Sequence, residues 1–149
     1  MPAPRSTDAT AADAAALQVA RTLAAALDAE DYLTARRALA PACVYVLAAD
    51  VYEGPDAILA VYADTAAWVR RTFDDVRYQS EVEPLPDGRV SVLYTDFLVL
   101  AGGRMHRHRS RQDLTIDLNG RVTRIEHREL PGEREALDAF FEAAGIARP

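Results

Sequence analysis

The chain has 149 residues, half of them hydrophobic, and a formal charge of −6 at pH 7. That length fits one domain around one core, the hydrophobic share excludes a disordered chain, and the negative charge argues against nucleic acid as a partner. All 17 basic residues are arginine, which removes Schiff-base chemistry and lysine-dependent phosphate loops. Cys43 is the sole cysteine and reads as a small buried hydrophobe rather than a nucleophile. The N-terminus lacks an apolar stretch and no run is long enough for a membrane span, so the expectation is a cytoplasmic protein without signal peptide.

In chain order, residues 1–8 read as a loose tail and 9–149 as one domain without a linker or repeat. Asp8 to Glu30 has helical periodicity, with Leu17, Ala20, Leu23, Ala24 and Leu27 on one face. Asp31 can cap a second helix, Tyr32 to Ala40, ended by Pro41. Cys43 to Leu47 is a short apolar strand. Gly54-Pro55-Asp56 opens a third helix to about Phe73, with Pro55 in the first turn for a structural reason. Its buried face holds Ile58, Val61, Tyr62, Thr65, Trp68, Val69 and Thr72. Four strands follow, Val76–Glu83, Arg89–Leu100, Met105–Leu118 and Arg121–Leu130. The last three are joined at Ala101-Gly102-Gly103-Arg104 and Asn119-Gly120, both read as short hairpin turns. A final helix, Glu133 to Ala144, buries Leu137, Phe140 and Phe141 before Gly145 stops it. Helices grouped against a curved antiparallel sheet make an α+β domain.

The run His106-Arg107-His108-Arg109-Ser110-Arg111-Gln112-Asp113 is the most informative stretch. Strand side chains alternate between faces, so His106, His108, Ser110, Gln112, Leu114 and Ile116 share one face. It runs from polar to apolar, as in a strand that leaves a core to line a cavity. A two-residue turn at Asn119-Gly120 places Gln112 beside His127 and Ser110 beside Glu129. A two-residue turn at Gly102-Gly103 places His108 beside Phe97 and Ser110 beside Thr95. These registers gather Thr95, Phe97, His108, Ser110, Gln112, Ile125, His127 and Glu129, with Trp68, Tyr62 and Phe97 as an apolar wall. An alternative has His106 and His108 with His127 or Glu129 holding a metal, but no second-shell carboxylate or cysteine pair supports it, and neither metal nor cofactor is assigned. On the other face, Arg109 is expected to pair with Asp96, and Val92, Tyr94, Leu98 and Leu100 form an apolar stripe that suggests a homodimer interface.

The element order resembles the nuclear-transport-factor-2-like superfamily, which includes the SnoaL-like polyketide cyclases and the ketosteroid isomerases. Tyr52-Glu53-Gly54-Pro55-Asp56-Ala57-Ile58 at the third helix and Asn119-Gly120-Arg121-Val122-Thr123-Arg124-Ile125 at the last hairpin carry the resemblance. It implies a cone-shaped α+β barrel, three helices packed on a curved antiparallel sheet enclosing a pocket, plus a C-terminal helix. It also implies that the convex sheet face can form a dimer. The ketosteroid isomerase base falls at Val46 or Leu47, the helix-one tyrosine near Leu23 and the pocket acid at Gln112, so all three roles are lost. The final-strand aspartate of SnoaL-like and limonene-epoxide-hydrolase-like members falls at His127. Scytalone-dehydratase-like members are similar in pairing two histidines with tyrosines, here His108 and His127 with Tyr32 or Tyr45.

Together these point to a SnoaL-like pocket enzyme acting on a small, mostly apolar organic molecule by cofactor-independent acid–base chemistry. Isomerase, cyclase, dehydratase and hydrolase reactions all remain open. His127 is the expected base, His108 the second acid–base or orienting group, and Gln112, Ser110, Glu129, Thr95, Phe97, Trp68 and Tyr62 the substrate contacts. The alternative is a non-catalytic ligand-binding or dimerisation module of the same fold.

Overall fold

The computed structural model of the protein describes residues 7–149. The tail expected over 1–8 therefore lies outside the described residues, except for Thr7 and Asp8, where the first helix has already begun. Helix α1 (Thr7–Asp28) is rich in Ala, the strongest helix former. It buries Ala20, Leu23 and Ala24, with Leu17 and Leu27 packed alongside. Asp31 caps α2 (Tyr32–Ala38) by accepting the Thr34 N–H at 3.1 Å. That helix stops at Ala38 because Leu39 and Ala40 already belong to strand β1 (Leu39–Leu47). The sheet register shifts between Leu39 and Val44, where Pro41, lacking an N–H, cannot donate to a ladder.

A turn at Ala48, with φ of 54°, leads into β2 (Asp50–Glu53). Helix α3 (Pro55–Thr72) follows Gly54, whose φ of 85° redirects the chain and whose N–H bonds the Cys43 carbonyl at 2.8 Å. Pro55 fills the first helical position, where no N–H is needed. Then come β3 (Asp75–Pro84), β4 (Val90–Val99), β5 (Met105–Ile116), β6 (Val122–Glu129) and α4 (Glu133–Ala144), which Gly145 ends in the left-handed conformation.

The sheet order is β2-β1-β6-β5-β4-β3. Strand β1 runs parallel to β6 and every other pairing is antiparallel. The sheet is therefore mixed rather than antiparallel throughout, and it curves around the helices without closing into a barrel. The fold is an α+β cone with four helices on six strands. One apolar cluster joins α1, α2, α3 and the sheet around Leu23, Ile58, Leu114 and Ile125. A second joins Phe73, Leu98 and Phe141 with Trp68 and Leu137, where α4 meets the end of α3. Each fully buried aliphatic side chain contributes roughly 1.5–3 kcal/mol to stability.

Two hairpins set which side chains face inward. The β5–β6 loop spans three residues, since the Asp117 N–H bonds the Arg121 carbonyl at 2.9 Å. A register shift between Thr115 and Ile116 then cancels the extra residue, so Gln112 opposes His127 and Ser110 opposes Glu129 as expected. The β4–β5 connection is also three residues long, Ala101–Gly103, a type II turn in which Gly102 takes φ 82°, ψ 5°. No later shift cancels it. Asp96 opposes His108 and Tyr94 opposes Ser110, and a one-residue difference moves every β4 side chain to the other face.

Thr95 and Phe97 consequently lie on the convex face, while Val92, Tyr94, Asp96 and Leu98 turn inward. The apolar stripe expected on the convex surface is thus an interior one. The expected Asp96–Arg109 pair is absent, and Arg109 instead donates from its Nε to Glu133 at 3.1 Å. The convex face centres on Asp113, which is 1% exposed. Arg111 grips it with two hydrogen bonds of 2.8 and 2.9 Å, with Arg128 and Arg89 nearby.

These arginines hold the Asp113 carboxyl below its ordinary value of 3.8, chiefly through the Arg111 hydrogen bonds. Its stabilising contribution is present above that value and is lost as pH falls through the lower, folded-state one. Asp113→Asn should therefore cost about 1–2 kcal/mol at pH 7, with the gap to wild type narrowing as pH falls below 3.8. Urea denaturation at neutral and acidic pH checks this; an unchanged gap would mean the cluster contributes no pairing energy.

Candidate functional site

Helices α1, α3 and α4 and the concave sheet face enclose a cavity of about 360 Å³. That is within the range of small-molecule sites. The sheet supplies its polar groups in rows across the strands. Tyr78, Asp96 and His108 form one row, Ser80, Tyr94 and Ser110 the next, and Val82, Val92, Gln112 and His127 a third. Five of the six tyrosines of the chain line the cavity, all but Tyr52. Its wall is therefore phenol-rich as well as apolar.

The floor is fixed by Gln112, only 4% exposed. The Tyr62 hydroxyl donates to its Oε1 at 2.7 Å, and its Nε2 donates to the Tyr45 hydroxyl at 3.1 Å. The two tyrosine rings stack at 5.4 Å, nearly parallel. Burial pushes the Tyr45 phenol up to about 12 and raises Tyr62 as well. Both therefore stay protonated, as the hydrogen bond from Tyr62 requires.

The β3–β4 side holds two carboxyls. Burial, with the neighbouring Asp28 charge, pushes Asp96 up to about 7. Burial also raises Asp28, at the last position of α1, opposed by a 2.7 Å hydrogen bond from the Ser80 hydroxyl. Between them Tyr94 is raised by burial and by both carboxylates. Its buried hydroxyl has no hydrogen-bond partner among the described residues.

The β5–β6 side holds imidazoles. Burial lowers His108 and His127 below 6.5, so both are neutral at pH 7 and able to accept a proton. His108 Nδ1 sits 3.8 Å from Glu133, which Arg109 holds, and His127 lies near the Glu129–Arg134 pair. Nδ1 of each is buried without a hydrogen-bond partner among the described residues. These three atoms, Tyr94 Oη and the two nitrogens, belong to residues that line this cavity. A fourth, His106 Nε2, belongs to a ring stacked on Phe140 at 4.9 Å.

Of the residues expected at the site, His108, His127, Gln112, Ser110, Trp68 and Tyr62 line this cavity. Glu129 sits at its rim, paired with Arg134. Thr95 and Phe97 are on the far side of the sheet, and Tyr94, Asp96 and Leu98 take their places. Asp28, Tyr78 and Arg134 are further lining residues that the sequence reading passes over. One signal for Asp28 was available: a carboxylate in the last turn of a helix faces the negative end of the macrodipole. Among the described residues, no three His, Cys, Asp or Glu side chains come together as a metal-holding group.

No family model matches the sequence, and no curated protein matches it. Solved structures do. Bal32a, from a soil-derived mobile gene cassette, is 18% identical over 87% of this chain and 98% of its own, with a TM-score of 0.68. A candidate polyketide cyclase from Pseudomonas putida is 15% identical over 81% and 96%, at 0.60. TerC, co-crystallised with polyporic acid, is 17% identical over 86% and 98%, at 0.62. The chain has the nuclear transport factor 2-like fold.

Asp96 carries a stability signature of its own. Its folded-state value of about 7 lies above the ordinary 3.8, so ionising it opposes folding. The penalty is absent below 3.8, grows as pH rises and is complete above about 7. Asp96→Asn should be more stable than wild type by up to about 4 kcal/mol at pH 8.5, with most of the gain gone at pH 4. Thermal or urea denaturation at the two pH values tests it; a gain independent of pH would show that Asp96 is not desolvated.

Proposed function

We propose that the protein is a SnoaL-like pocket enzyme that moves a proton on a small, mostly apolar carbonyl compound without a cofactor. The observation that supports this reading most is the division of proton donors and acceptors around one cavity. Donors, the Asp96 carboxyl and the Tyr94 hydroxyl, sit on β4, and acceptors, the His108 and His127 imidazoles, sit on β5 and β6. Strands β4 and β6 are separated by one strand, hence by about 10 Å, which leaves room for a substrate between them.

In the proposed step His127 takes a proton from the carbon beside the carbonyl. The electron pair moves onto the carbonyl oxygen, where Tyr94 and Asp96 donate hydrogen bonds to the developing negative charge. The imidazolium then returns the proton to another carbon. His108 orients the substrate or carries the second proton, and Ser110 and Gln112 fix its polar edge. Trp68, Tyr62 and Phe141 cover its apolar part. The co-crystal of TerC with polyporic acid supports a small organic ligand for this fold.

The test uses a panel of cyclic and aryl ketones in D2O, with proton-for-deuteron exchange followed by NMR. Wild-type protein should exchange at least one of them, and His127→Ala and Asp96→Asn should each slow it about 10²–10³-fold while remaining folded. Polyporic acid serves as a separate binding probe. Binding without exchange would favour the non-catalytic ligand-binding module, and exchange untouched by either substitution would remove the proposed roles.

In the same reading the protein works in the cytoplasm as a homodimer packed through the convex face. The support there is Leu93 opposite Arg111 and Phe97 opposite Arg107, apolar side chains beside a charged row. Sedimentation should give a dimer at micromolar concentration that Phe97→Arg weakens. A monomer at high concentration would refute it.

A further inference from the structure

The two carboxyls of the cavity are not equivalent, and hydrogen bonding distinguishes them. The Ser80 hydroxyl donates to Asp28 Oδ2 at 2.7 Å, which favours the charged form of that carboxyl. No hydrogen bond to the Asp96 carboxyl is found among the described residues, and the group is half-buried in the cavity wall. Both belong to one patch. Ser80 opposes Tyr94 and Tyr78 opposes Asp96 on adjacent strands, so Asp96 lies diagonally across from the serine that holds Asp28. The orphaned Tyr94 hydroxyl lies in the same patch.

We propose that Asp28, held charged by Ser80, is a positioning residue whose carboxylate keeps the proton on Asp96. Two like charges in one half-buried patch repel, so the carboxyl with the hydrogen-bond donor ionises first and the other keeps its proton to higher pH. The consequence rests on the proposed reaction, because only a protonated Asp96 can donate to a substrate oxygen. The proton assignment itself does not.

The charged groups around the patch leave this pairing in place. From the α1–α2 corner, Glu30 is paired with Arg70 of α3, and Arg70 lies over the Tyr78 ring. From α2 and β3, Tyr32 and Tyr78 are phenols held neutral by burial. From β5, His108 is neutral near pH 7. From α4, Arg134 is paired with Glu129 and Glu133 is held by Arg109. None of these brings an unpaired positive charge to Asp96.

The experiment is a carboxyl ¹³C NMR titration of the full chain, with no ligand. In wild type, Asp96 should titrate near pH 7 and Asp28 below it. In Asp28→Asn, Asp96 should fall by about one pH unit or more, remaining above the ordinary range because burial persists. In Ser80→Ala the two carboxyls should move in opposite directions, Asp28 up and Asp96 down. A merely structural serine would not produce that exchange, and this variant serves if Asp28→Asn fails to fold. An Asp96 titration unchanged in Asp28→Asn, or in the ordinary carboxyl range in wild type, overturns the proposal. The expected titration without ketone exchange leaves the proton assignment standing and removes only the reaction.

Discussion

The chemistry of the cavity depends on the register between β4 and β5. Three residues, Ala101 to Gly103, form the connection, and Gly102 supplies the positive φ that its type II turn requires. That count decides which alternate side chains of β4 meet the helices. With it, Tyr94 and Asp96 enter the cavity and Leu98 joins Phe73 and Phe141. One residue fewer would bury Thr95 and Phe97 and send a carboxyl and a phenol to the surface. Because Asp96 then stands opposite His108, the same turn creates both the desolvated acid and its nearness to the neutral bases.

Two apolar clusters make the polar patch between them tolerable. Below it, Leu114, Ile125, Val92 and Ile58 pack with α1 and α3. Beyond it, Phe73, Leu98 and Phe141 close the other end. Polar groups confined to this gap cannot reach bulk water freely, so each must find a partner or shift its protonation. Gln112 finds two phenols. Asp28 finds Ser80, and Glu133 finds Arg109. Tyr94, His108 and His127 respond by staying neutral, and Asp96 by keeping its proton up to about pH 7. The division is physical: the paired residues hold the cavity in shape, and the unpaired neutral ones remain available.

Legibility in the sequence follows the reach of local rules. Parity within one strand is dependable, so His108, Ser110 and Gln112 fall on one face as read. Parity across Asn119-Gly120 also holds, although through two compensating irregularities, a longer turn and a register shift, neither visible beforehand. Across Gly102-Gly103 the same rule fails, because two consecutive glycines fit a two-residue turn and a three-residue one equally well. Strand β2 escapes notice because its turn places an alanine, Ala48, at positive φ, where glycine or asparagine would have signalled it. The parallel pairing of β1 with β6 is a contact over some eighty residues, and no periodicity encodes it. Asp28 escapes because a helix terminus reads as a boundary rather than as a cavity wall.

That parallel pairing also governs the order in which the protein can be assembled. Strand β6 lies between β1 and β5, so the earliest strand is joined to the others only through the last. During synthesis the hairpins of β3, β4 and β5 can form from neighbouring segments, while β1 and β2 must wait with an open edge. Contacts of such long sequence separation slow folding. The Tyr45–Gln112–Tyr62 floor, which needs β1, β5 and α3 together, is completed only when β6 slides into the gap. The ligand cavity is thus among the last features of the molecule to exist, and the nascent chain spends its vulnerable interval without it.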